Sequence, residues 1–280
     1  MRGRVAAKLF DVPQIEGRSY WLAGDAPFFQ LEFFALSEPC VQTMRPAPIN
    51  APGYNLITFA VDDLDKTLLR LRERGIAPHA SMTAADGSRH ICLRDPENVL
   101  VELIERPGRS ARVLGVGMTV ADPDDALRYF TAGFGLSQYP CQTKVREQLW
   151  GVGQPARSIV RFMAGDYWIE VRHYQDGGDT DPQIFSLVKP GLANIALGFS
   201  KAVDFTHCFE RVTQAGFHPA LPPISFMGGH NAYLRSEQRI SVELLQLPRH
   251  THGVWGFRKP GIVSRLIQYR INKKLLMQPI

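Results

Sequence analysis

An internal repeat constrains the fold of this chain more than any other feature of its sequence. Four apolar segments, FFQLEFF, VLVELIE, YWIEVRH and ISVELLQ, contain a glutamate at a similar place, namely Glu32, Glu102, Glu170 and Glu243. Consecutive members of this set are 70, 68 and 73 residues apart. A fixed period means that one supersecondary unit recurs and that neighbouring units bury each other's apolar faces. The 280 residues are therefore predicted to form four similar units.

Three of the units also begin alike, from Asn55, Gly115 and Asn194. Each beginning alternates apolar and polar or small residues, which predicts a strand, and then reaches a polar break. The residues that follow have the apolar period of a helix, and in the first case Gly75 ends it. Further strands lead to the glutamate segment, so the predicted unit is β-α-β-β-β. Because only about fifteen residues precede the first aromatic strand, the first unit is predicted to lack its opening strand and helix.

The strings RDPENVLVELIE and RVLGVGMTVADPDDALRYFTAGFGL resemble the vicinal oxygen chelate superfamily, and the resemblance extends over nearly all of residues 15 to 248. This superfamily includes glyoxalase I, extradiol ring-cleaving dioxygenases, epimerases and bleomycin resistance proteins. The resemblance implies an α+β fold in which β-α-β-β-β modules pair into two glyoxalase-like domains, each enclosing a cavity, with the first module N-terminally incomplete. In chain order these domains are expected at 1–107 and 111–248, followed by a basic C-terminal tail with a helix at 249–280.

In members of the superfamily that bind a metal, the ligands come from the first and last strands of the paired modules. The last-strand position is a glutamate in every module of this chain, whereas the first-strand position, usually histidine, is Leu56, Gly115 or Asn194. The resemblance therefore implies a metal site formed by Glu170, Asn194 and Glu243 in the second domain. Such an oxygen-only set suits a divalent magnesium or manganese ion better than iron.

An alternative explanation of the repeated glutamates needs no metal. Arginines occur on the strands that neighbour them, namely Arg94, Arg161, Arg172 and Arg235. A guanidinium group next to a buried carboxylate neutralises its charge and satisfies its hydrogen bonds. Both interpretations stay open at this point.

The segment GGHNAYLRSEQRISVE, from Gly228 to Glu243, resembles part of the extradiol dioxygenase signature. In this resemblance His230 and Tyr233 are the catalytic candidates, and both are expected to line one cavity. A histidine that titrates near neutral pH and a phenol beside it suit proton transfer to or from a ring hydroxyl or an enolate. The alternative is that His230 is a loop residue at the rim.

Two functions are compatible with these observations. The first is an enzyme that acts on a small aromatic or polycyclic molecule, with dioxygenase-, isomerase- or lyase-type chemistry. The second is a metal-free protein of the same fold that binds or sequesters a small molecule, as the loss of first-strand histidines suggests. Fold alone does not decide between them, because this fold hosts many chemistries.

Charge and composition exclude some classes of binding partner. The net charge is +5, but seven positive and no negative residues follow Glu243, so the first 248 residues carry −2. Nucleic-acid binding needs a basic face on the folded body, and it is not expected here. Neither a long apolar run nor a signal peptide is recognisable, so no membrane span and a cytoplasmic location are expected. The four cysteines form no C-x-x-C pair, which argues against a zinc knuckle.

The basic C-terminal segment has its own predictions. Residues 260 to 277 are predicted to form a basic amphipathic helix that docks on the body of the protein rather than on a membrane. One hypothesis is that HGVWGF, residues 252 to 257, replaces the missing strand of the first unit and that residues 260 to 277 replace its missing helix, in the same or a partner chain. This arrangement would bring His252 near Glu32 and Glu102. A homodimer contact that covers the exposed edge of that unit is an alternative.

Overall fold

The computed structural model describes residues 2–24, 26–40, 48–95, 97, 99–109, 111–139, 141, 149–151, 156–175, 188–238 and 240–276. Five α-helices lie in this part of the chain: α1 (Arg4–Phe10), α2 (Leu64–Arg72), α3 (Pro123–Arg128), α4 (Ala202–Gln214) and α5 (Ile262–Leu276). Its strands are β1 (Glu16–Ala23), β2 (Gln30–Glu38), β3 (Gly53–Val61), β4 (Ala80–Thr83), β5 (Arg89–Arg94), β6 (Leu100–Glu105), β7 (Arg112–Thr119), β8 (Ser137–Tyr139), β9 (Ser158–Ala164), β10 (Tyr167–His173), β11 (Ile195–Phe199), β12 (Phe217–Pro219), β13 (Ile224–Phe226), β14 (Gly229–Ser236) and β15 (Ser241–Gln246).

The chain divides into two compact units. Unit 1 comprises Met1–Thr43, Phe185–Lys189 and Ala193–Ile280, and unit 2 comprises Met44–Ile184 and Pro190–Leu192. This division differs from the boundaries 1–107, 111–248 and 249–280 that chain order suggests. The physical reason is that β3 of the second module pairs with β7 of the third, so these two modules share one sheet. The first and fourth modules lie together in unit 1.

Unit 2 is built on an eight-stranded sheet with the order β4-β5-β6-β3-β7-β10-β9-β8. In both of its modules the first strand lies parallel to the last, β3 beside β6 and β7 beside β10. Asp63 caps α2 by accepting a hydrogen bond from the Lys66 amide, and Asp122 caps α3 in the same manner. The predicted β-α-β-β-β unit is therefore confirmed for the second and third modules.

Unit 1 contains the sheet β11-β15-β14-β12, with β13 also paired to β14, and the separate hairpin of β1 and β2. Helix α4 buries Phe205, Cys208 and Val212, and it contacts β11, β14 and β15 on one face of the sheet. Near the first module, the buried residues of α1 form an apolar cluster with Tyr233 of β14, which Phe34 of β2 also contacts. Tyr233 therefore points toward the first module.

The C-terminal segment packs on the first module, but not as a strand. Residues 252 to 257 form turns, and His252 donates a hydrogen bond from Nε2 to the Leu247 carbonyl at 2.9 Å. The hypothesis that this segment supplies a missing strand is therefore wrong, since Gly256 has a left-handed φ of 76° that a strand does not accommodate. Its Trp255 ring instead lies 4.3 Å from Trp21 of the hairpin.

A helix within the predicted range of residues 260 to 277 is confirmed as α5. It contacts β1, and so it docks on the body through unit 1. Among the described helices, none has the length and apolar character that crossing a membrane requires.

Candidate functional site

Two glutamates from equivalent last strands come together in unit 1. Glu32 lies on β2 opposite Trp21 of β1, and Glu243 lies on β15 opposite Tyr233 of β14. Glu243 is 6% exposed, whereas Glu32 is only partly buried. The two side chains are close enough for the charge of Glu243 to act on the Glu32 carboxyl. We call Glu32 and Glu243 the carboxyl pair.

Hydrogen-bond donors hold each member of the carboxyl pair. Glu243 accepts bonds from the side-chain amides of Asn231 and Asn194 and from the Tyr233 hydroxyl. Glu32 accepts a bond from Trp21 Nε1, at 2.5 Å from its Oε1. Because donors orient both carboxyl groups, the pair is fixed in place rather than free to turn toward solvent.

Burial makes both carboxyl groups weak acids. It raises the pKa of Glu32 to about 8, and the charge of Glu243 adds to the effect. Burial also raises the pKa of Glu243 to about 7, against the opposing effect of the hydrogen bonds that it accepts. Near neutral pH the carboxyl pair therefore holds between one and two protons and exchanges them readily. Burial and the neighbouring carboxylates raise the pKa of Tyr233 well above its usual value, so its hydroxyl stays a donor.

Asn231 leaves one polar atom next to the carboxyl pair unused. Its Nδ2 donates to Glu243, while its buried Oδ1 accepts no hydrogen bond from any residue that the structure describes. An unpaired buried acceptor is costly, so such an atom usually marks the position of a water, a ligand group or a cation. Glu32 and Asn194 are both partly exposed, which leaves a side from which a small molecule can approach.

The equivalent glutamates of unit 2 have different partners. Arg161 places Nε and Nη2 each 2.9 Å from Glu170 Oε2, and Arg172 places Nη1 3.5 Å from Oε1. Arg172 is fully buried. A Cβ added to Gly117 of β7 would lie 2.9 Å from Arg172 Nη2, so this glycine leaves the space that the guanidinium fills. The arginine explanation of the sequence therefore holds for Glu170.

Glu102 is held by uncharged and imidazole donors. Thr58 Oγ1 donates to Oε2 at 3.3 Å, and His90 Nδ1 lies 2.8 Å from Oε1. His90 Nε2 lies 2.9 Å from the Ser88 hydroxyl, which donates its proton to Asp86. Because that proton is directed to Asp86, this chain of groups orients Glu102 and does not present an activated nucleophile.

Unit 2 does not fit the metal that the superfamily resemblance implies. The first-strand residue Leu56 is buried in an apolar cluster with Cys92, Leu100 and Trp150. Guanidinium groups already neutralise Glu170. Within the described part of the chain, no group of three or more His, Cys, Asp or Glu side chains is placed to hold an ion.

The structure separates the two residues that the sequence suggested as catalytic. Tyr233 contacts Glu243, but His230 is exposed and stacks on Phe205 of α4, with ring centroids 5.6 Å apart. Side chains alternate along a strand, so residues three positions apart point to opposite faces. His230 therefore lies on the helix side of the sheet, and Tyr233 lies on the side of the carboxyl pair.

The suggested metal set is also divided. Asn194 and Glu243 are hydrogen-bonded in unit 1, while Glu170 belongs to unit 2, where arginines hold it. Glu32 occupies the place beside Glu243 that sequence reasoning gave to Glu170. Asn231 was missed altogether, although its spacing of two from Tyr233 on one strand places both on the same face.

Comparisons with known proteins agree with this architecture. The sequence model of the Glyoxalase/Bleomycin resistance protein/Dioxygenase superfamily matches residues 24–103. A "putative dioxygenase" from Bacillus subtilis is similar in structure, with a TM-score of 0.58 and 13% identity over 94% of this chain and 84% of that one. A mutant of glyoxalase I from Zea mays has a TM-score of 0.58 and 15% identity over 86% of this chain and 85% of that one. At these identities the likeness concerns the fold alone. No curated protein sequence matches the chain.

Proposed function

We propose that this chain, whose residues 24–103 match the glyoxalase, bleomycin resistance protein and dioxygenase superfamily, binds a small organic molecule in unit 1 and moves a proton on it. The observation that carries the proposal is the carboxyl pair, Glu32 and Glu243, with pKa values raised to about 8 and about 7. General acid and base catalysts work best when their pKa lies near the working pH. Perturbed carboxyl groups of this kind cluster at functional sites.

The two members of the pair take different roles in this proposal. Glu243 accepts hydrogen bonds from Asn231, Asn194 and Tyr233, which favour its carboxylate form, and it is the base that removes a proton from a carbon acid or a ring hydroxyl. Glu32 is the acid that donates a proton to the oxygen on which negative charge develops. Asn194, Asn231 and Tyr233 position the base. An isomerisation is balanced by this exchange, because the proton that Glu243 removes is replaced by the proton that Glu32 gives.

The proposed ligand has a flat, apolar body with at least one polar oxygen. Aromatic residues lie next to Glu32 on its hairpin: Trp21 donates to Glu32, and Phe34 lies two residues further along β2. Phe34 packs edge-on against Phe10, with ring centroids 5.1 Å apart. Aromatic surfaces favour aromatic or polycyclic molecules, and the buried Oδ1 of Asn231 accepts a hydrogen bond from a ligand hydroxyl.

Substitution of Glu243 by Gln should lower proton exchange by about 10²-fold or more, because the amide cannot act as a base. The measurement is hydrogen–deuterium exchange into a panel of cyclic ketones and phenols in D2O, followed by proton NMR with the full chain. Glu38→Gln is the matched control, since Glu38 is an exposed carboxylate on the same strand as Glu32.

Two results would contradict the enzymatic proposal. Equal exchange in the wild type and in Glu243→Gln would place the chemistry elsewhere in the chain. Saturation-transfer NMR that detects bound ligand, without any exchange above the rate in buffer, would favour the sequestering function instead.

A hard divalent ion is a second candidate occupant of this site. Two carboxylates, the unused Asn231 Oδ1 and the partly exposed Asn194 form an oxygen-rich set, which fits magnesium or manganese and fits iron less well because no imidazole is present in the set. A bound ion would polarise a substrate oxygen as a Lewis acid. Glu32 and Glu243 would then bind as carboxylates, with Tyr233 still orienting Glu243.

Manganese chloride tests this candidate directly. Binding should release protons near pH 7, because carboxyl groups with raised pKa must deprotonate to coordinate an ion. Isothermal titration in two buffers of different ionisation enthalpy measures that release, and Glu32→Gln should weaken binding at least about tenfold. Glu38→Gln should bind like the wild type. Absence of any manganese binding by the wild type would leave the pair as a proton site only.

A further inference from the structure

Helix α5 turns its polar side toward the protein. Gln268 Nε2 donates to the Val254 carbonyl at 2.7 Å, and Asn272 Nδ2 donates to the Trp21 carbonyl at 3.2 Å. Ser264, one turn before Gln268, is also half-buried. These residues are four apart and therefore form one stripe of the helix. The side of α5 that docks on unit 1 thus presents amide and hydroxyl side chains, next to the half-buried Ile271.

The opposite side of α5 is apolar and exposed. The exposed fractions are 81% for Ile262, 69% for Val263, 58% for Leu266, 40% for Ile267 and 62% for Tyr269. Five of the thirteen exposed large hydrophobic residues in the described part of the chain are therefore on this one helix. A surface helix normally buries its apolar side and exposes its polar side. The reversed orientation of α5 indicates that this side contacts something other than water.

The exposed charged residues on α5 and in the segment just before it are all positive. Arg265, Arg270 and Lys273 are exposed on the helix, and Arg258 and Lys259 are exposed just before it. No acidic residue follows Glu243 in the sequence. Exposed apolar side chains flanked by lysine and arginine fit the interface of an anionic phospholipid bilayer, where phosphates bind the cations and the apolar groups enter the headgroup region.

We propose that α5 is a membrane-surface helix that binds anionic phospholipid. It lies in the plane of the interface, because its 15 residues are too short to cross a bilayer. A second copy of the chain is a less suitable partner for this side of α5, because a twofold contact would bring two positively charged helices together. This proposal is independent of the chemistry in the carboxyl pair.

Co-sedimentation of the full chain with lipid vesicles tests the proposal. Vesicles of phosphatidylcholine and phosphatidylglycerol in equal parts should bind the protein, vesicles of phosphatidylcholine alone should not, and added salt should release it. Leu266→Glu should reduce binding at least about tenfold, because it places a carboxylate among the inserted side chains. Leu69→Glu is the matched control: Leu69 is 59% exposed on α2 of unit 2, and its replacement should leave binding unchanged.

A second variant separates charge from apolar insertion. Arg265→Gln, Arg270→Gln and Lys273→Gln combined should weaken binding to anionic vesicles at least about tenfold. Failure of the wild type to bind anionic vesicles would overturn the proposal, as would equal binding by wild type and Leu266→Glu. A dimer in sedimentation velocity that Leu266→Glu dissociates, without vesicle binding by the wild type, would overturn it in favour of self-association.

Discussion

Replacing Arg172 with Met should lower the free energy of unfolding of unit 2 by about 3–5 kcal/mol. Arg172 is fully buried, and its Nη1 lies 3.5 Å from Glu170 Oε1 while its Nη2 donates to Asn55 Oδ1. Its guanidinium also lies over the Trp150 ring at 4.8 Å. Methionine keeps much of the volume but removes the charge. The Glu170 carboxylate, which is also fully buried, then loses one of its two cations.

Urea unfolding of two further variants distinguishes the ion pair from simple packing. Adding Glu170→Gln to Arg172→Met should recover part of the lost stability, because it removes a fully buried carboxylate that has lost one cation, while water can solvate the partly exposed Arg161. Arg161→Met should cost less than Arg172→Met, since the Arg161 side chain is 18% exposed and water can replace it. A double variant that is less stable than Arg172→Met alone would contradict this account.

The second large effect is expected with pH: stability should fall as the pH rises from about 5 to about 9. The pKa of Glu32 is raised to about 8 and that of Glu243 to about 7 in the folded protein, both above the value of 4.5 for an unperturbed glutamate. Between these values the folded state holds more protons than the unfolded state, so raising the pH favours unfolding. The loss should be on the order of 2 kcal/mol, reduced because water still reaches Glu32.

Thermal unfolding across this pH range measures the effect, and Glu32→Gln isolates it. The variant has no carboxyl group at position 32 to deprotonate, so only Glu243 of the carboxyl pair can still lose a proton in this range. Its melting temperature should therefore change less with pH than that of the wild type, by about 5 °C. His79 acts in the opposite direction, because burial lowers its pKa, but it is common to both proteins and cancels in the difference. Parallel curves for wild type and Glu32→Gln would show that the pair does not titrate in this range.

Local features of the fold were predictable from the sequence. The strand and helix periods, the cap at Asp122 and the recurring glutamates depend on neighbouring residues, and the structure has them in place. The two-residue spacing of Glu170 and Arg172 on one strand also places both on one face, which made their ion pair accessible to sequence reasoning. The same rule places His230 and Tyr233, which are three residues apart, on opposite faces of the sheet.

The choice of partners between modules was not predictable in this way. Each module presents an equivalent glutamate, so nothing local distinguishes a Glu32 that meets Glu243 from one that meets Glu102. The outcome depends on long-range packing, such as the cluster of Phe10 with Tyr233. The contribution of Asn231 was not predictable for the same reason. Its amide matters because it contacts the Glu243 carboxylate.

The two units neutralise their inherited glutamates by different means. In unit 2 the charge that neutralises Glu170 belongs to the side chains of Arg161 and Arg172, so it is present at every physiological pH. In unit 1 the neutralising charge is exchangeable, because bound protons or a bound ion must neutralise Glu32 and Glu243. Groups that exchange protons can supply and accept them during turnover, which makes the carboxyl pair the better candidate for proton transfer.

The interleaving of the modules sets an order for biosynthesis. All strands of the unit 2 sheet lie within Met44–Ile184, so this sheet can form while the rest of the chain is still being translated. The β1 and β2 hairpin emerges first, yet its partners in β14 and β15 emerge last. Folding of unit 2 removes the chain entropy of the intervening residues before the hairpin meets those strands. A substitution that slows folding of unit 2 would therefore leave the aromatic hairpin exposed for longer. It would lower the yield of folded unit 1, although the substituted residue lies in unit 2.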